Sequence, residues 1–233
     1  MPKDDVKVMF DNAVHIGHRT QKWNPLMKKF IHGEKDGLHI INLELTTEFL
    51  EKALKFLGQS IAEGKVILFV STKPQSVVLV EETATQCKMP YVSSKWIPGL
   101  LTNFPTIKTR IKYLKDLKSQ EASGELEKYT KKEAAKMRKE IIKLQNALGG
   151  VENLKKNPDV VFVLDTVRDN IAVLEAKKVG IPIIALVDTN ANPSDIDYPI
   201  PANDDASKSL VYLLGKVAEV ASRAPKPKDN DGK

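Results

Sequence analysis

Three short runs constrain this chain more than anything else in it: Val66-Ile-Leu-Phe-Val70, Val160-Val-Phe-Val-Leu164 and Ile183-Ile-Ala-Leu-Val187. Each is apolar at every position and rich in β-branched residues, so both alternating faces must be buried. Runs this short do not make amphipathic helices. Continuous apolar strands of this kind belong to a parallel sheet covered by helices on both sides. Weaker strand candidates lie at 38–41, 89–92 and 198–200. Helical patterns at 45–63, 75–88, 170–179 and 206–222 alternate with them, which predicts a doubly wound α/β domain.

Between the third and fourth of these strands the period changes. Phe104, Ile107, Ile111 and Leu114 are spaced 3, 4, 3, and Ala134, Met137, Ile141, Leu144 and Leu148 are spaced 3, 4, 3, 4, each a narrow heptad seam. A polar, glycine-containing stretch separates the two runs. Thr130 and Glu133 fit a capping box opening the second helix, and Gly149-Gly150 fits a helix stop. The expectation is an antiparallel coiled-coil hairpin of about 16 residues per arm, projecting roughly 24 Å. The chain then divides into 1–103 and 151–222 as two parts of one α/β domain, 104–150 as the hairpin and 223–233 as a flexible tail.

Charge follows the same division. The chain carries 36 Lys+Arg against 30 Asp+Glu, a net charge of +6. Between residues 106 and 145 alone, twelve basic residues face six acidic ones, so this segment's excess equals that of the whole chain. Such a run is either a solvated face or a grip for a polyanion. Other classes are excluded or disfavoured. No run of about 18 apolar residues exists to form a membrane helix. Met1-Pro2-Lys3-Asp4-Asp5 lacks the apolar core of a secretory signal. Cys87 is the single cysteine, which forbids an internal disulfide and suits a reducing cytoplasm. No phosphate-binding glycine loop is present: Gly64-Lys65 and Gly215-Lys216 are each followed by valine.

Two features keep an enzyme in view. Asp165 and Asp188 each follow a strand, with Asp204-Asp205 farther along, and such carboxylates can hold Mg²⁺. The competing reading is that they cap helices and turns, as Asn203 and Asp204 before 206–222 suggest. His15-x-x-His18 has a spacing zinc can use, but no cysteine pair or acid stands nearby in sequence, so packing or stacking competes with metal binding. The rival function is a Mg²⁺- or nucleotide-dependent α/β enzyme with a regulatory hairpin.

Several strings taken in order go further. They are Val14-His-Ile-Gly-His-Arg-Thr-Gln-Lys-Trp-Asn-Pro25, Trp96-Ile-Pro-Gly-Leu-Leu-Thr-Asn-Phe104, Gly180-Ile-Pro-Ile-Ile-Ala-Leu-Val-Asp-Thr-Asn190 and Ile200-Pro-Ala-Asn-Asp-Asp205. Together they resemble the bacterial small-subunit ribosomal protein S-two family, over roughly residues 10–221. The resemblance implies a flavodoxin-like α/β domain with an inserted coiled-coil hairpin. It implies a structural, non-enzymatic role in translation, without cofactor, small-molecule substrate or membrane. It also implies contacts to small-subunit ribosomal RNA between head and body, to neighbouring ribosomal proteins, and to ribosomal protein S-one in bacteria that have it. Departures from the family pattern at Ser71 and Pro74, at Asp165-Thr-Val-Arg-Asp169 and at Pro98 remove two basic residues.

Structured RNA is read mostly through phosphates, 2′-hydroxyls and exposed bases. The candidates for those contacts are Arg19, Lys22, Lys28 and Lys29, with Asn24 hydrogen-bonding and Trp23 either stacking or packing. Lys73, and Lys95 beside Trp96, form a second patch, Trp96 again serving RNA or core. Thr102 and Asn103 either touch sugar and phosphate or cap the first hairpin helix. Lys108, Arg110, Lys112 and Lys115 are the candidates on the arm.

Overall fold

The computed structural model describes residues 3–223. The elements in chain order are α1 (Lys3–Asp11), β1 (Ile16–Arg19), β2 (Ile31–Lys35), β3 (Leu38–Ile41), α2 (Leu43–Ala62), β4 (Ile67–Val70), α3 (Val77–Cys87) and β5 (Tyr91–Val92). They continue with α4 (Phe104–Ala122), α5 (Lys131–Leu148), β6 (Val160–Val163), α6 (Asn170–Val179), β7 (Ile183–Val187), β8 (Tyr198–Pro201) and α7 (Ser207–Arg223). The expected tail lies outside the described residues apart from Arg223, which closes α7.

The five strands β5-β4-β6-β7-β8 form a parallel sheet in that order. Every residue of β4, β6 and β7 is buried. The pleat sends alternate residues to opposite faces, and each face has its own core. Ile67, Phe69, Val160, Phe162, Ile184 and Leu186 pack with α2, α3 and α7. Leu68, Val70, Val161, Val163, Ile183 and Ala185 pack with α4, α5 and α6. The prolines of this sheet sit at Pro199 and Pro201 on edge strand β8, where a missing N–H leaves no gap in the ladder.

One strand assignment changes sheet. The segment 38–41 is β3, but it is the middle strand of a separate three-stranded antiparallel sheet, order β1-β3-β2. The helix pair therefore follows the second strand of the parallel sheet in chain order. Helix α1 and strand β1 are elements for which the sequence pattern gave no sign. Adjacent polar residues, His18 and Arg19, concealed β1: only Gly17 of its four residues is buried.

Helices α4 and α5 pack through the two expected seams. Phe104, Ile107, Ile111, Leu114 and Leu117 are buried on one, Ala134, Ile141, Leu144 and Leu148 on the other. Thr130 and Glu133 form the reciprocal capping box, Oγ1 accepting from the Glu133 N–H at 3.4 Å and Oε2 from the Thr130 N–H at 3.1 Å. The two glycines after α5 work differently from the expected stop. Gly149 is right-handed, at φ −56°. A Cβ on Gly150 would lie 2.2 Å from the carbonyl oxygen of Tyr91, so Gly150 lets the base of the helix pair close on edge strand β5.

Phe162 is 1% exposed and its ring centroid lies 5.4 Å from that of Phe69. Phe162→Ala is expected to lower stability by about 3–5 kcal/mol in urea unfolding. A loss below about 1 kcal/mol is incompatible with a sheet packed on this face.

Candidate functional site: a basic arm and an ion cluster at the strand ends

The carboxyl ends of parallel strands are where α/β proteins place ligands. Here they hold an ion cluster. The loop after β4 carries Lys73, buried at 8% exposure. Its ammonium contacts Asp204 at 2.8 Å, Asp205 at 2.6 Å and Asp165 at 3.1 Å. The loop after β7 supplies Asp188, which faces His18 Nδ1 at 3.1 Å. His18 Nε2 lies 3.3 Å from Asp205. Strand β1 reaches this end because Gly17 passes close over the β7 loop: a Cβ there would meet Thr189 Cγ2 at 2.5 Å. The His18 N–H donates to Thr189 Oγ1 at 2.9 Å.

Four carboxylates thus surround one lysine and one histidine, and the charges respond. Burial opposes the Lys73 ammonium, but Asp204, Asp205 and Asp165 outweigh it and hold its pKa above the usual lysine range. Burial, with Asp188 and Asp165 alongside, pushes Asp204 up to about 7. The hydrogen bond to Asp188 raises His18, and burial only partly offsets it. The sequence readings of the acids combine here. Asp165 Oδ1 caps the next turn, accepting from the N–H groups of Val167 at 3.0 Å and Arg168 at 2.8 Å, while Oδ2 faces Lys73. Asn203 accepts from the N–H groups of Asp205 and Ala206 before α7, which leaves Asp204 to the lysine.

The donor atoms of His18, Asp188, Asp204 and Asp205 lie within 4.8 Å of one another. A His–carboxylate set of this kind is chemically able to hold a divalent cation. His15 does not join it: its ring stacks on Phe10 at 4.2 Å, and burial lowers its pKa. The two rings of His15-x-x-His18 therefore go to different neighbours, His15 packing on Phe10 and His18 facing Asp188.

Another buried carboxylate, outside this cluster, fixes the approach to the helix pair. Glu175, on the inner face of α6, accepts at Oε1 from Trp96 Nε1 (3.0 Å) and the Gly99 N–H (2.7 Å). Its Oε2 accepts from the N–H groups of Leu101 (3.0 Å) and Thr102 (3.1 Å) and from Thr102 Oγ1 (3.1 Å). Burial works against this charge, but the donors win and hold Glu175 below the usual glutamate range. The loop so pinned runs straight into α4. Glu175 escaped the sequence reading, although an acid among Ala172, Val173 and Ala176 on a helix's apolar face is a visible signal.

These contacts remove two residues from the proposed RNA surface. Lys73 is enclosed by carboxylates and Trp96 is 5% exposed with its indole N–H committed to Glu175. Thr102 keeps an exposed position, but its hydroxyl serves Glu175. Asn103 precedes α4 without a side-chain cap bond; its Oδ1 accepts from Thr106 Oγ1. Asn24 caps the turn Pro25–Phe30 by accepting from the Leu26 N–H at 3.0 Å. Trp23 is 37% exposed and tilts against His39 at 5.2 Å. Arg19, Lys22, Lys28, Lys29 and Lys95 are exposed. So are Lys108, Arg110, Lys112 and Lys115, which form no ion pair among the described residues.

The buried carboxylates make stability depend on pH and on single side chains. In chelator-treated protein, folded Asp204 keeps a proton near pH 7 that the unfolded chain, with an aspartate pKa of about 3.9, has already released. Stability therefore falls as pH rises through 7, by about 1.4 kcal/mol between pH 6 and 8 from this group, and the raised His18 adds in the same direction. Urea midpoints across that range are expected to decline in the native protein and to flatten in Asp204→Asn. Glu175→Ala strands the donors of the 96–102 loop and is expected to cost at least about 3 kcal/mol; a loss under 1 kcal/mol would show that the loop holds without it.

Comparison with known proteins agrees with this architecture. The family model for Ribosomal protein S2 matches residues 9–224. Small ribosomal subunit protein uS2 of Dehalococcoides mccartyi is 41% identical over 96% of this chain and 91% of its own length. The uS2 of Picosynechococcus is 42% identical over 100% of this chain and 91% of its own. The uS2 of Campylobacter fetus is 43% identical over 96% and 86%. With the match running from α1 to the end of α7 and through the inserted helix pair, this chain belongs to the ribosomal protein S2 family.

Proposed function

We propose that the chain is a structural constituent of the small ribosomal subunit, acting in translation on the cytoplasmic ribosome by binding ribosomal RNA between head and body. Membership of the S2 family over nearly its whole length carries the reading. The relatives are named as ribosomal proteins, which sets aside the Mg²⁺- or nucleotide-dependent enzyme. The crevice such an enzyme would use is filled by the Lys73 ammonium. In this reading 1–103 and 151–222 make a flavodoxin-like body, and 104–150 is a coiled-coil arm inserted into it. Neighbouring small-subunit proteins, including ribosomal protein S-one where present, are its protein partners.

The RNA surface is built from exposed cations. Lys108, Lys112 and Lys115 lie at i, i+4 and i+7, one residue on from the buried seam of α4, with Arg110 on the seam's other flank. These exposed groups form no ion pair among the described residues, so phosphate contact releases condensed counterions with little desolvation cost. Arg19, Lys22, Lys28 and Lys29 add a second patch, with Trp23 available for stacking and Asn24 for a hydrogen bond. Lys95 and the exposed Thr102 and Asn103 lie where the body meets the arm.

Replacing Lys108, Arg110, Lys112 and Lys115 by Ala together is expected to weaken incorporation into reconstituted small subunits. The logarithmic dependence of binding on salt should flatten by up to about 0.7–0.9 for each phosphate that the variant no longer neutralises. Incorporation measured between 50 and 200 mM salt checks this. Unchanged affinity and slope mean that the arm does not grip RNA. Failure of the native chain to cosediment with small subunits at low salt and ample Mg²⁺ overturns the ribosomal role itself.

A further inference from the structure

Helix α6 has an inner face that is fully used. Ala172, Val173 and Ala176 join the sheet core, and Glu175 holds the loop before α4. Its outer face is the anomaly. Ile171 and Leu174 are 50% and 52% exposed, and Val167 in the turn just before the helix is 50% exposed. An outward helix face normally carries polar residues. Single exposed aliphatics need no explanation, but Ile171 and Leu174 are neighbours at i and i+3, and Val167 extends the patch toward the N-terminus.

The exposed charges that this stretch of chain itself sets beside the patch have one sign. The exposed charged residues between 165 and 179 are Arg168, Lys177 and Lys178. The acids of the same stretch, Asp165, Asp169 and Glu175, are buried, where they hold backbone and side-chain donors. Lys177 pairs with Asp195, while Lys178, at i+7 from Ile171, forms no ion pair among the described residues.

We propose that the outer face of α6 docks an amphipathic segment of a neighbouring ribosomal protein, one that lays an apolar stripe on Val167, Ile171 and Leu174 and sets acidic side chains against Arg168 and Lys178. The proposal rests on the ribosomal role argued above. The chemistry selects a protein. Branched aliphatic side chains offer RNA neither a donor nor an aromatic stacking face, and the apolar strip is what a partner helix buries. It also selects against a second copy of this chain, because two basic rims would face each other across the contact.

Site-specific photocrosslinking tests the docking. The full-length chain carrying p-benzoyl-phenylalanine in place of Ile171 is assembled into small subunits, illuminated, and the adducts are mapped by mass spectrometry. The same probe in place of Val167 supplies the readout if the first position hinders assembly. The expected adduct is a peptide with apolar residues spaced three or four apart and Asp or Glu beside them. With the probe at Val167, Leu174→Asp is expected to lower adduct yield at least tenfold, and Lys178→Glu about threefold, with the urea midpoint and incorporation unchanged. Crosslinks to RNA, to another copy of this chain or to a segment without acids overturn the proposal. So does the absence of any adduct, or a yield indifferent to Leu174→Asp. If the native chain does not cosediment with small subunits at all, the ribosomal role fails first and the docking with it.

Discussion

Burying a parallel sheet on both faces determines where charge can enter this protein. With β4, β6 and β7 lined by apolar residues above and below, no polar side chain fits within the sheet layer, and the loops at the strand ends carry the buried ions instead. Lys73, Asp165, Asp188 and Asp204 come from four different strand ends and meet in one place because the strands are parallel and adjacent. Removing the lysine leaves at least three buried carboxylates facing one another, so its ammonium is as much a part of the core as Phe162. The raised pKa of Asp204 expresses the same surplus: one lysine and a histidine do not neutralise four acids, so Asp204 holds its proton to a higher pH.

The helix pair depends on that body through two contacts of different chemistry. At one end Gly150 removes the side chain that would strike the Tyr91 backbone, so α5 returns directly onto edge strand β5. At the other, Glu175 gathers donors from Trp96 to Thr102 and turns a loop into a fixed lead into α4. The apolar seams of α4 and α5 also continue into the core beneath the sheet, sharing it with α6. The cations of the helix pair are therefore carried on helices anchored at both roots, and α6 serves the pair on one side while exposing an aliphatic strip on the other.

What could be seen in the sequence was whatever depends on near neighbours. The three apolar runs, the 3-4 seams and the Thr130–Glu133 box are each written within a few residues, and each formed where the spacing placed it. The small antiparallel sheet was not visible, because β1 and β2 carry histidine, arginine, glycine and lysine and are held mainly by pairing with β3. The ion cluster was out of reach for a different reason: Lys73 and Asp204 are 131 residues apart, and His18 bonds to a residue 171 positions away. A lysine after a strand looks the same in sequence whether its ammonium meets solvent or three carboxylates. The same ambiguity attached to Trp96, whose indole N–H found Glu175 rather than RNA.

That contrast bears on how the basic excess should be understood. Lys73 and Lys112 carry the same charge, yet one has exchanged water for aspartates and the other has not. A buried ammonium pulled from its partners leaves them uncompensated in a low-dielectric setting, a loss of several kcal/mol. An exposed one gives up only loosely held water and counterions when a phosphate arrives. Cations able to bind a polyanion are thus those the fold has not already used, and net charge counts both kinds alike. On this chain the distinction favours the arm over the strand ends, although the strand ends are where an α/β sheet ordinarily binds its ligand. The strand-end crevice is occupied by the protein's own ions, and the proposed binding surface lies on exposed cations such as those of the helix pair.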